Sequence, residues 1–188
     1  MPFGYLGWLL AGELIVPGSR LGPDAGEAVV AYLGDWSLRL LLVALAITPL
    51  SRVFKQPRLI SIRRQAGLFA FSAVALHFLA YLTFLAAFDW LLIREDLVDR
   101  RYITVGFLAL LLLLPLALTS TRGWQRRLGR RWKRLHKLVY VIVPLGLLHL
   151  AWLTKDEYSE VVVLSSVYLL LMAQRLLVNR RRARTAAA

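Results

Sequence analysis

The residues best suited to chemistry in this chain are its three histidines, His77, His136 and His149. His77 lies within a charge-free apolar run, residues 66–88, and His149 lies within a second such run, residues 138–154. An ionisable side chain inside a membrane segment is costly and is a functional-site hypothesis by default. Imidazole is also a common axial ligand of haem iron. Histidines in two separate apolar segments therefore predict a b-type haem held between His77 and His149.

His136 is predicted to belong to a different site. It precedes His149 by 13 residues, which is about 20 Å along one helix, so one haem cannot bridge the two. We expect His136 to serve a second haem or another cofactor, which makes all three histidines candidate iron ligands. Two alternatives involve no metal. A membrane histidine can hydrogen-bond to a neighbouring helix, and His136, among basic residues, can be a solvated side chain.

Composition places the chain in a membrane. It has 188 residues, of which 59% are hydrophobic, and a mean hydropathy of +0.60, whereas soluble domains are about 45–50% apolar. The absence of cysteine excludes iron–sulfur clusters, thiolate haem ligation and disulfides, so a redox role requires a bound cofactor. The net charge of +13 is concentrated between apolar runs, which indicates membrane orientation and not nucleic-acid binding.

Six apolar stretches predict an all-α integral membrane bundle of six helices, in a single domain over residues 1–188. The first two stretches are short, because a crossing needs roughly 17–25 residues. We expect a partial first helix or a chain that begins further upstream, and we expect Arg39 to snorkel from the second. No internal repeat is visible. The expected helices cover about residues 1–16, 36–50, 66–88, 102–121, 135–154 and 161–179.

The charged residues alternate between the two ends of the predicted helices. Segments 51–65 and 122–137 and the C-terminal tail carry basic residues without an acid, whereas the other connecting segments hold nearly all the acids. By the positive-inside rule, both termini are predicted to be cytoplasmic. His77 then lies about 17 Å from residue 66, near the middle of the membrane, and His149 lies near the outer surface.

Arg63 and Arg64 lie at the cytoplasmic start of the third predicted helix. Their guanidinium groups suit a haem propionate or a flavin phosphate, so both are candidate cofactor-binding residues. The alternative is a role in topology and in binding anionic lipid headgroups. A dinucleotide fingerprint and a P-loop are absent from the sequence, so we do not expect a self-contained NAD(P)H reductase of the usual kind.

Several short motifs follow one another in a defined order, and the three histidines belong to them. They are Ile47–Leu50 (ITPL), Ser61–Leu68 (SIRRQAGL), Leu76–Phe78 (LHF), Leu118–Thr121 (LTST), Trp132–Tyr140 (WKRLHKLVY) and His149. Their order and spacing resemble the MsrQ (formerly YedZ) family, which belongs to the ferric-reductase-like transmembrane group. The resemblance covers about residues 3–178, and the N-terminal stretch is shorter than is usual in the family. His77, His136 and His149 match the positions of the family's three histidines.

The resemblance implies a bacterial inner-membrane protein that binds haem b, with FMN as a further cofactor, and that transfers electrons. The implied donor is the quinone pool or a cytoplasmic flavin reductase. The implied acceptor is MsrP, a periplasmic molybdopterin enzyme that reduces methionine sulfoxide in oxidised proteins, so catalysis would lie in the partner. Two alternatives stay open: another ferric-reductase-like b-type cytochrome with a different acceptor, and a non-redox transporter or scaffold that uses the histidines as proton relays.

Overall fold

The computed structural model describes residues 2–154 and 158–187. Nine α-helices account for most of these residues, and no β-strand occurs within the two ranges, which confirms the predicted all-α class. A π-helical turn, Tyr81–Leu85, continues α3, and a 3₁₀ turn, His136–Leu138, joins α7 to α8. The helices are α1 (Pro2–Ile15), α2 (Ala25–Val53), α3 (Leu59–Ala80), α4 (Trp90–Asp99), α5 (Arg101–Leu118), α6 (Arg122–Leu128), α7 (Arg130–Leu135), α8 (Val139–Leu153) and α9 (Ser159–Ala187).

Several helical segments are long and apolar enough to cross a membrane, so the chain is a multi-pass membrane protein. Large apolar side chains lie on the outer surface of the bundle. On α9, for example, Leu169 and Leu170 are 64% and 69% exposed, as expected for a helix that faces lipid. The helix α1 is also apolar but has only 14 residues. The five candidate spans are Ala25–Val53, Leu59–Leu85, Arg101–Leu118, Arg130–Leu153 and Ser159–Arg180.

The second helix is longer than predicted. The sequence indicated a short helix over residues 36–50, whereas α2 begins at Ala25 and has 29 residues. The side chain of Asp24 accepts a hydrogen bond of 2.9 Å from the backbone N–H of Glu27, which caps the N-terminus of α2. Acids that were interpreted as part of a loop therefore start the helix, where negative charge is favourable.

Three other boundaries also differ from the prediction. The helix α3 starts at Leu59 and not at residue 66, because arginine is a good helix former. Two segments expected to be loops form the short helices α4 and α6, whose N-termini are capped by Asp89 and Thr121. The last helix, α9, continues beyond residue 179 through the terminal arginines. Polar composition correctly separated these segments from the apolar runs, but it does not prevent helix formation.

The core lies between two packed helix pairs. The helix α2 packs along α3, α5 packs along α8, and α2 also contacts α8 and α9. Ile142 and Val143 of α8, which are 1% and 0% exposed, belong to a core cluster with leucines of α2 and α5. Because the paired helices run antiparallel, the ends of α3 and α8 lie at the same end of the bundle as the starts of α2 and α5.

The two ends of the bundle differ in charge. The acidic end carries Asp24, Glu27 and the acids of α4, and the basic end carries the turn between α2 and α3 together with the segment Arg122–Lys137. The helices that connect these ends supply the apolar middle. This separation of charge defines the acidic end and the basic end to which the positions below refer.

Arg39 of α2 is held by another helix and does not simply snorkel, as had been predicted. Its Nη2 lies 2.5 Å from a carboxylate oxygen of Glu160, at the start of α9. Its guanidinium group also lies 5.5 Å from the ring of Trp36. Both members of the ion pair are partly exposed, so the pair contributes about 0.2–1 kcal/mol and serves mainly to position α9 on α2.

Candidate functional site

The two histidines predicted to form a pair meet between α3 and α8. The ring centroids of His77 and His149 lie 6.2 Å apart, and the ring planes are inclined by 79°. Both side chains are partly buried. The packing of α3 on α2 and of α8 on α5 brings them together, so the pair depends on contacts between distant parts of the chain.

Each imidazole is oriented by a main-chain carbonyl of the helix packed against it. Nδ1 of His77 lies 2.9 Å from the carbonyl oxygen of Val30, and Nδ1 of His149 lies 2.6 Å from that of Tyr102. A carbonyl oxygen only accepts, so Nδ1 carries the hydrogen in both rings and donates it. In the neutral imidazole, Nε2 is then the unprotonated nitrogen and is the one that can bind a metal.

A glycine lies beside each imidazole, four residues after the carbonyl that orients it. A Cβ atom placed on Gly34 would lie 3.0 Å from Cε1 of His77, and a Cβ atom on Gly106 would lie 2.7 Å from Nδ1 of His149. Real Cβ atoms essentially never come as close as the second distance, so only glycine accommodates the ring at that position without a shift. The two rings are therefore seated in equivalent cradles.

The two helix pairs repeat this arrangement with the same spacing. In both, 47 residues separate the carbonyl residue from the histidine. The sequence shows no internal repeat, and the correspondence between the helix pairs α2–α3 and α5–α8 is one of spacing alone. The correspondence is confined to a few positions, which explains why it was not visible among the many leucines.

The contacts of His77 give its position along the bundle directly. His77 contacts Val30 in the first turns of α2, and His149 contacts Tyr102 in the first turn of α5, so both rings lie toward the acidic end. The reason is the early start of α3, since His77 lies about 27 Å along this helix from Leu59. The pair therefore lies at one depth.

The spacing of the pair fits two imidazoles that would hold one haem iron between them. A first-row metal binds an imidazole nitrogen at about 2 Å, and two such bonds with the half-width of each ring give a centroid spacing of about 6 Å. The observed spacing is 6.2 Å. Within the described residues no group of three or more histidine, aspartate and glutamate side chains converges on one point. The site thus offers two neutral nitrogens, which is the set that a porphyrin-bound iron requires.

The structure does not bring His136 to this pair. His136 lies at the start of the 3₁₀ turn between α7 and α8, where its ring stacks on Trp132 with a centroid distance of 4.0 Å. Nδ1 of His136 lies 3.2 Å from the carbonyl oxygen of Trp132, and the main chain of Leu116 also lies beside the partly buried ring. Trp132 is itself fixed, because its indole N–H donates to the carbonyl of Thr119 at 2.9 Å. His136 therefore belongs to the basic end, as predicted.

Arg63 and Arg64 lie in different surroundings, although the sequence analysis assigned the same candidate role to both. The charge of Arg63 lies close enough to His136 to act on it electrostatically. Arg64 lines an open cleft of about 510 Å³ between α3 and α6, together with Arg122 of the latter helix. The two arginines are thus available to different ligands.

The sequence analysis missed a polar group on the last membrane helix. Arg175 of α9 donates hydrogen bonds to the hydroxyl of Tyr140 and to the carbonyl of Leu45, while its Nε is buried without a partner. The neighbouring Gln174 also has a buried, unpartnered side-chain oxygen. A charged residue in an apolar stretch is the signal that should have identified this position.

A second polar cluster lies near the histidine pair, at the acidic end. The carboxylate of Asp96 is buried, accepts a hydrogen bond of 2.7 Å from the hydroxyl of Tyr81, and lies 3.1 Å from Nε of Arg100. A hydrogen bond with Tyr102 and the charge of Asp96 raise the pKa of Arg100. Arg100 therefore stays charged, and its cluster connects α4 to the segment that carries the His149 acceptor.

Comparison with known proteins agrees with this architecture. Residues 33–147, more than half of the chain, match the family described as "Ferric reductase like transmembrane component". A protein of Caulobacter vibrioides, named protein-methionine-sulfoxide reductase heme-binding subunit MsrQ, is 46% identical over 184 residues, covering 97% of this chain and 84% of the relative. A protein of the same name from Xanthomonas campestris pv. campestris is 44% identical over 174 residues, covering 93% and 80%.

No solved structure matches the chain at a significant level. The family match nevertheless includes Gly34, His77 and Gly106, and the two relatives extend the similarity through most of the chain. The chain therefore belongs to the MsrQ family, within the ferric reductase like transmembrane proteins.

Proposed function

We propose that this chain is a membrane b-type cytochrome that holds one haem b between His77 and His149. The observation that carries the proposal is the pair of imidazoles with ring centroids 6.2 Å apart, each with its Nδ1 hydrogen-bonded to a main-chain carbonyl. The relatives are named heme-binding subunits, which supports the same cofactor here. When bound, haem b supplies one-electron chemistry through the Fe(III)/Fe(II) couple.

The residues of the chain set the properties of this site. The carbonyls of Val30 and Tyr102 keep hydrogen on Nδ1 and make Nε2 a stronger donor to iron, because a hydrogen-bonded imidazole is a more basic ligand. The glycines Gly34 and Gly106 allow each ring to lie against the adjacent helix. Apolar side chains of the surrounding helices limit the access of water, which favours a defined redox potential.

We also propose that the chain is one domain over residues 1–188 with six crossings, and that both termini are cytoplasmic in the bacterial inner membrane. The five candidate spans and the apolar α1 support the number of crossings. The excess of arginine and lysine at the basic end supports the orientation, because cytoplasmic segments carry such residues. The acidic end then faces the periplasm, and His77 and His149 lie in the periplasmic half.

The proposed role is to transfer electrons from the basic end to the acidic end. The donor would be the quinone pool or a cytoplasmic flavin reductase, and the acceptor a periplasmic molybdopterin methionine sulfoxide reductase of the MsrP type. The relatives' names, which make them subunits of a protein-methionine-sulfoxide reductase, support this acceptor. His136 would serve a second cofactor at the basic end, and FMN is proposed from the family resemblance alone.

Visible absorption of the purified protein tests the haem proposal. A detergent-purified preparation, expressed with ample haem, should show a Soret band and an α-band that sharpens on reduction with dithionite. A colourless preparation of folded protein would overturn the redox role. Co-purification with a periplasmic molybdoenzyme tests the acceptor separately, and electron transfer to a different acceptor alone would favour another ferric-reductase-like cytochrome.

A further inference from the structure

The polar cluster at the acidic end contacts the histidine pair from two sides. On one side, Tyr81 lies one turn beyond His77, and its backbone N–H donates to the carbonyl of that residue. On the other side, Tyr102 supplies the carbonyl that orients His149, and its ring centroid lies 5.9 Å from that of the imidazole. We call this group the Arg100 cluster, and its members are Tyr81, Asp96, Arg100 and Tyr102.

The guanidinium group of Arg100 is held in place by three members of the cluster. Its Nε lies 3.1 Å from the carboxylate of Asp96, and its side chain also hydrogen-bonds to that of Tyr102. The Asp96 side chain is only 7% exposed, and the Tyr81 hydroxyl donates to its second oxygen at 2.7 Å. A positive charge is therefore fixed next to the tyrosine ring that lies beside His149.

The comparison with the other imidazole shows that this charge is not needed to seat a histidine. The carbonyl residue that orients His77 is Val30, and the position that corresponds to Arg100, two residues before the carbonyl residue, is Ala28. The His77 cradle is complete with an apolar residue there. Arg100 therefore calls for a role other than orienting the ring.

We propose that the Arg100 cluster sets the redox potential of the haem held between His77 and His149, and that Arg100 raises this potential. The inference rests on the proposed function and deepens it. Reduction adds one electron from the donor to Fe(III) and removes one positive charge from the site, while no bond forms or breaks in the cluster. A fixed cation nearby is repelled less by the reduced site, so it favours reduction.

Asp96 has the opposite charge and is the positioning residue for Arg100. Its buried carboxylate holds the guanidinium on the side of Tyr102, where the electrostatic effect on the imidazole is greatest. A carboxylate by itself would favour the oxidised site, so the two charges act in opposite directions. Groups outside the axial ligands, through charge and hydrogen bonds, are among the means by which a protein adjusts a haem potential.

Potentiometric titration of the haem in the purified holoprotein tests the proposal. In Arg100→Gln we expect the ratio of reduced to oxidised haem at a fixed potential to fall about threefold or more. This corresponds to about 28 mV, because tenfold is 59 mV for one electron. Asp96→Asn should shift the ratio in the opposite direction. Arg100→Lys keeps the charge and should retain most of the wild-type potential.

Arg94→Gln is the matched control. Arg94 is exposed, and it precedes Asp96 by two residues, which places it on the opposite side of α4. The substitution removes the same charge from the same short helix, where solvent and salt screen it. We expect the ratio of reduced to oxidised haem to change by less than about 1.5-fold.

A lower potential in Arg100→Gln, with haem content and the position of the α-band unchanged, supports the proposal. An unshifted potential in Arg100→Gln, or an equal shift in Arg94→Gln, would overturn it. If Asp96→Asn does not fold, the comparison of Arg100→Gln with Arg100→Lys gives the same decision. Wild-type protein without haem would contradict the proposed function itself, whereas full haem content with an unshifted potential would contradict only the role of the Arg100 cluster.

Discussion

The imidazole rings of His77 and His149 have centroids 6.2 Å apart, although the two residues lie on different helices and 72 positions apart in the chain. Each ring is oriented by a carbonyl and seated beside a glycine of the adjacent helix. The packing of α2 on α3 and of α5 on α8 therefore positions the two histidines, and no loop residue takes part. Sites on packed helices hold their ligands more precisely than sites on loops.

Gly34→Ala and Gly106→Ala should weaken haem binding, because the new Cβ atoms would lie 3.0 Å and 2.7 Å from the imidazoles. Displacement of a ligand in this way is expected to cost about tenfold or more in affinity, with the larger effect at Gly106. The measurement is haem retained per protein during dilution, together with the midpoint potential of the bound haem.

Gly67→Ala is the matched control for these two variants. Gly67 lies in α3, and a Cβ atom placed on it would have no atom of another helix within 4 Å. All three substitutions gain about 1 kcal/mol of helix propensity, so a difference between them reports the contact with the ring. Haem loss of the same size in Gly67→Ala would show that contact with the imidazole rings is not the cause.

His136→Ala should leave the haem of the paired histidines in place. His136 stacks on Trp132 at the basic end, away from the facing rings. We expect the variant to keep a reducible haem with an unshifted α-band, and to lose only the cofactor that His136 serves. Reduced-minus-oxidised spectra provide the measurement, and complete loss of haem with retained helical circular dichroism would show that the two sites are not separate.

Asp96→Ala should destabilise the acidic end of the bundle by about 1–3 kcal/mol, because it leaves the Tyr81 hydroxyl and Arg100 without their buried acceptor. The measurement is the thermal unfolding midpoint in one detergent. Asp99→Ala removes an exposed acid from the same helix and is expected to change stability by less than about 0.5 kcal/mol. When Asp96→Ala is combined with Tyr81→Phe, the loss of stability should be smaller than the sum of the two single losses. Simple additivity of the two losses would argue against the hydrogen bond between these side chains.

The sequence predicted the membrane class and the pairing of His77 with His149, because apolar runs and the cost of a buried imidazole are both local signals. It did not predict that Val30 and Tyr102 orient the rings, since a main-chain carbonyl leaves no trace in residue type. Gly34 and Gly106 were detectable in principle, as glycines inside apolar helices often have a packing reason. Their partners could be identified only once the helices were packed.

The predicted helix boundaries were wrong for a different physical reason. Charge and polarity report where a segment lies relative to lipid, whereas helix formation depends on propensity and capping. The segments that became the start of α2, the start of α3, and all of α4 and α6 were polar enough to be interpreted as loops. The start assigned to α3 also set the distance assigned between His77 and the basic end, so the boundary error affected the description of the site.

The proposed orientation predicts the labelling of single cysteines, a clean experiment in a chain without native cysteine. Glu95→Cys, at the acidic end, should react with a membrane-impermeant maleimide in spheroplasts. Arg126→Cys, at the basic end, should react only after permeabilisation. Both side chains are exposed, so protection reports the membrane and not burial. The opposite pattern would reverse the orientation and place the histidine pair near the cytoplasm.

Haem content of His77→Ala and His149→Ala, measured by pyridine haemochrome on purified protein, tests the central claim most directly. Each substitution removes one of the two imidazoles of the pair, so each variant should lose most of its haem while circular dichroism shows an intact helical bundle. Imidazole added to the smaller His77→Gly and His149→Gly variants should restore part of the haem spectrum. Full haem content in both alanine variants would contradict the account.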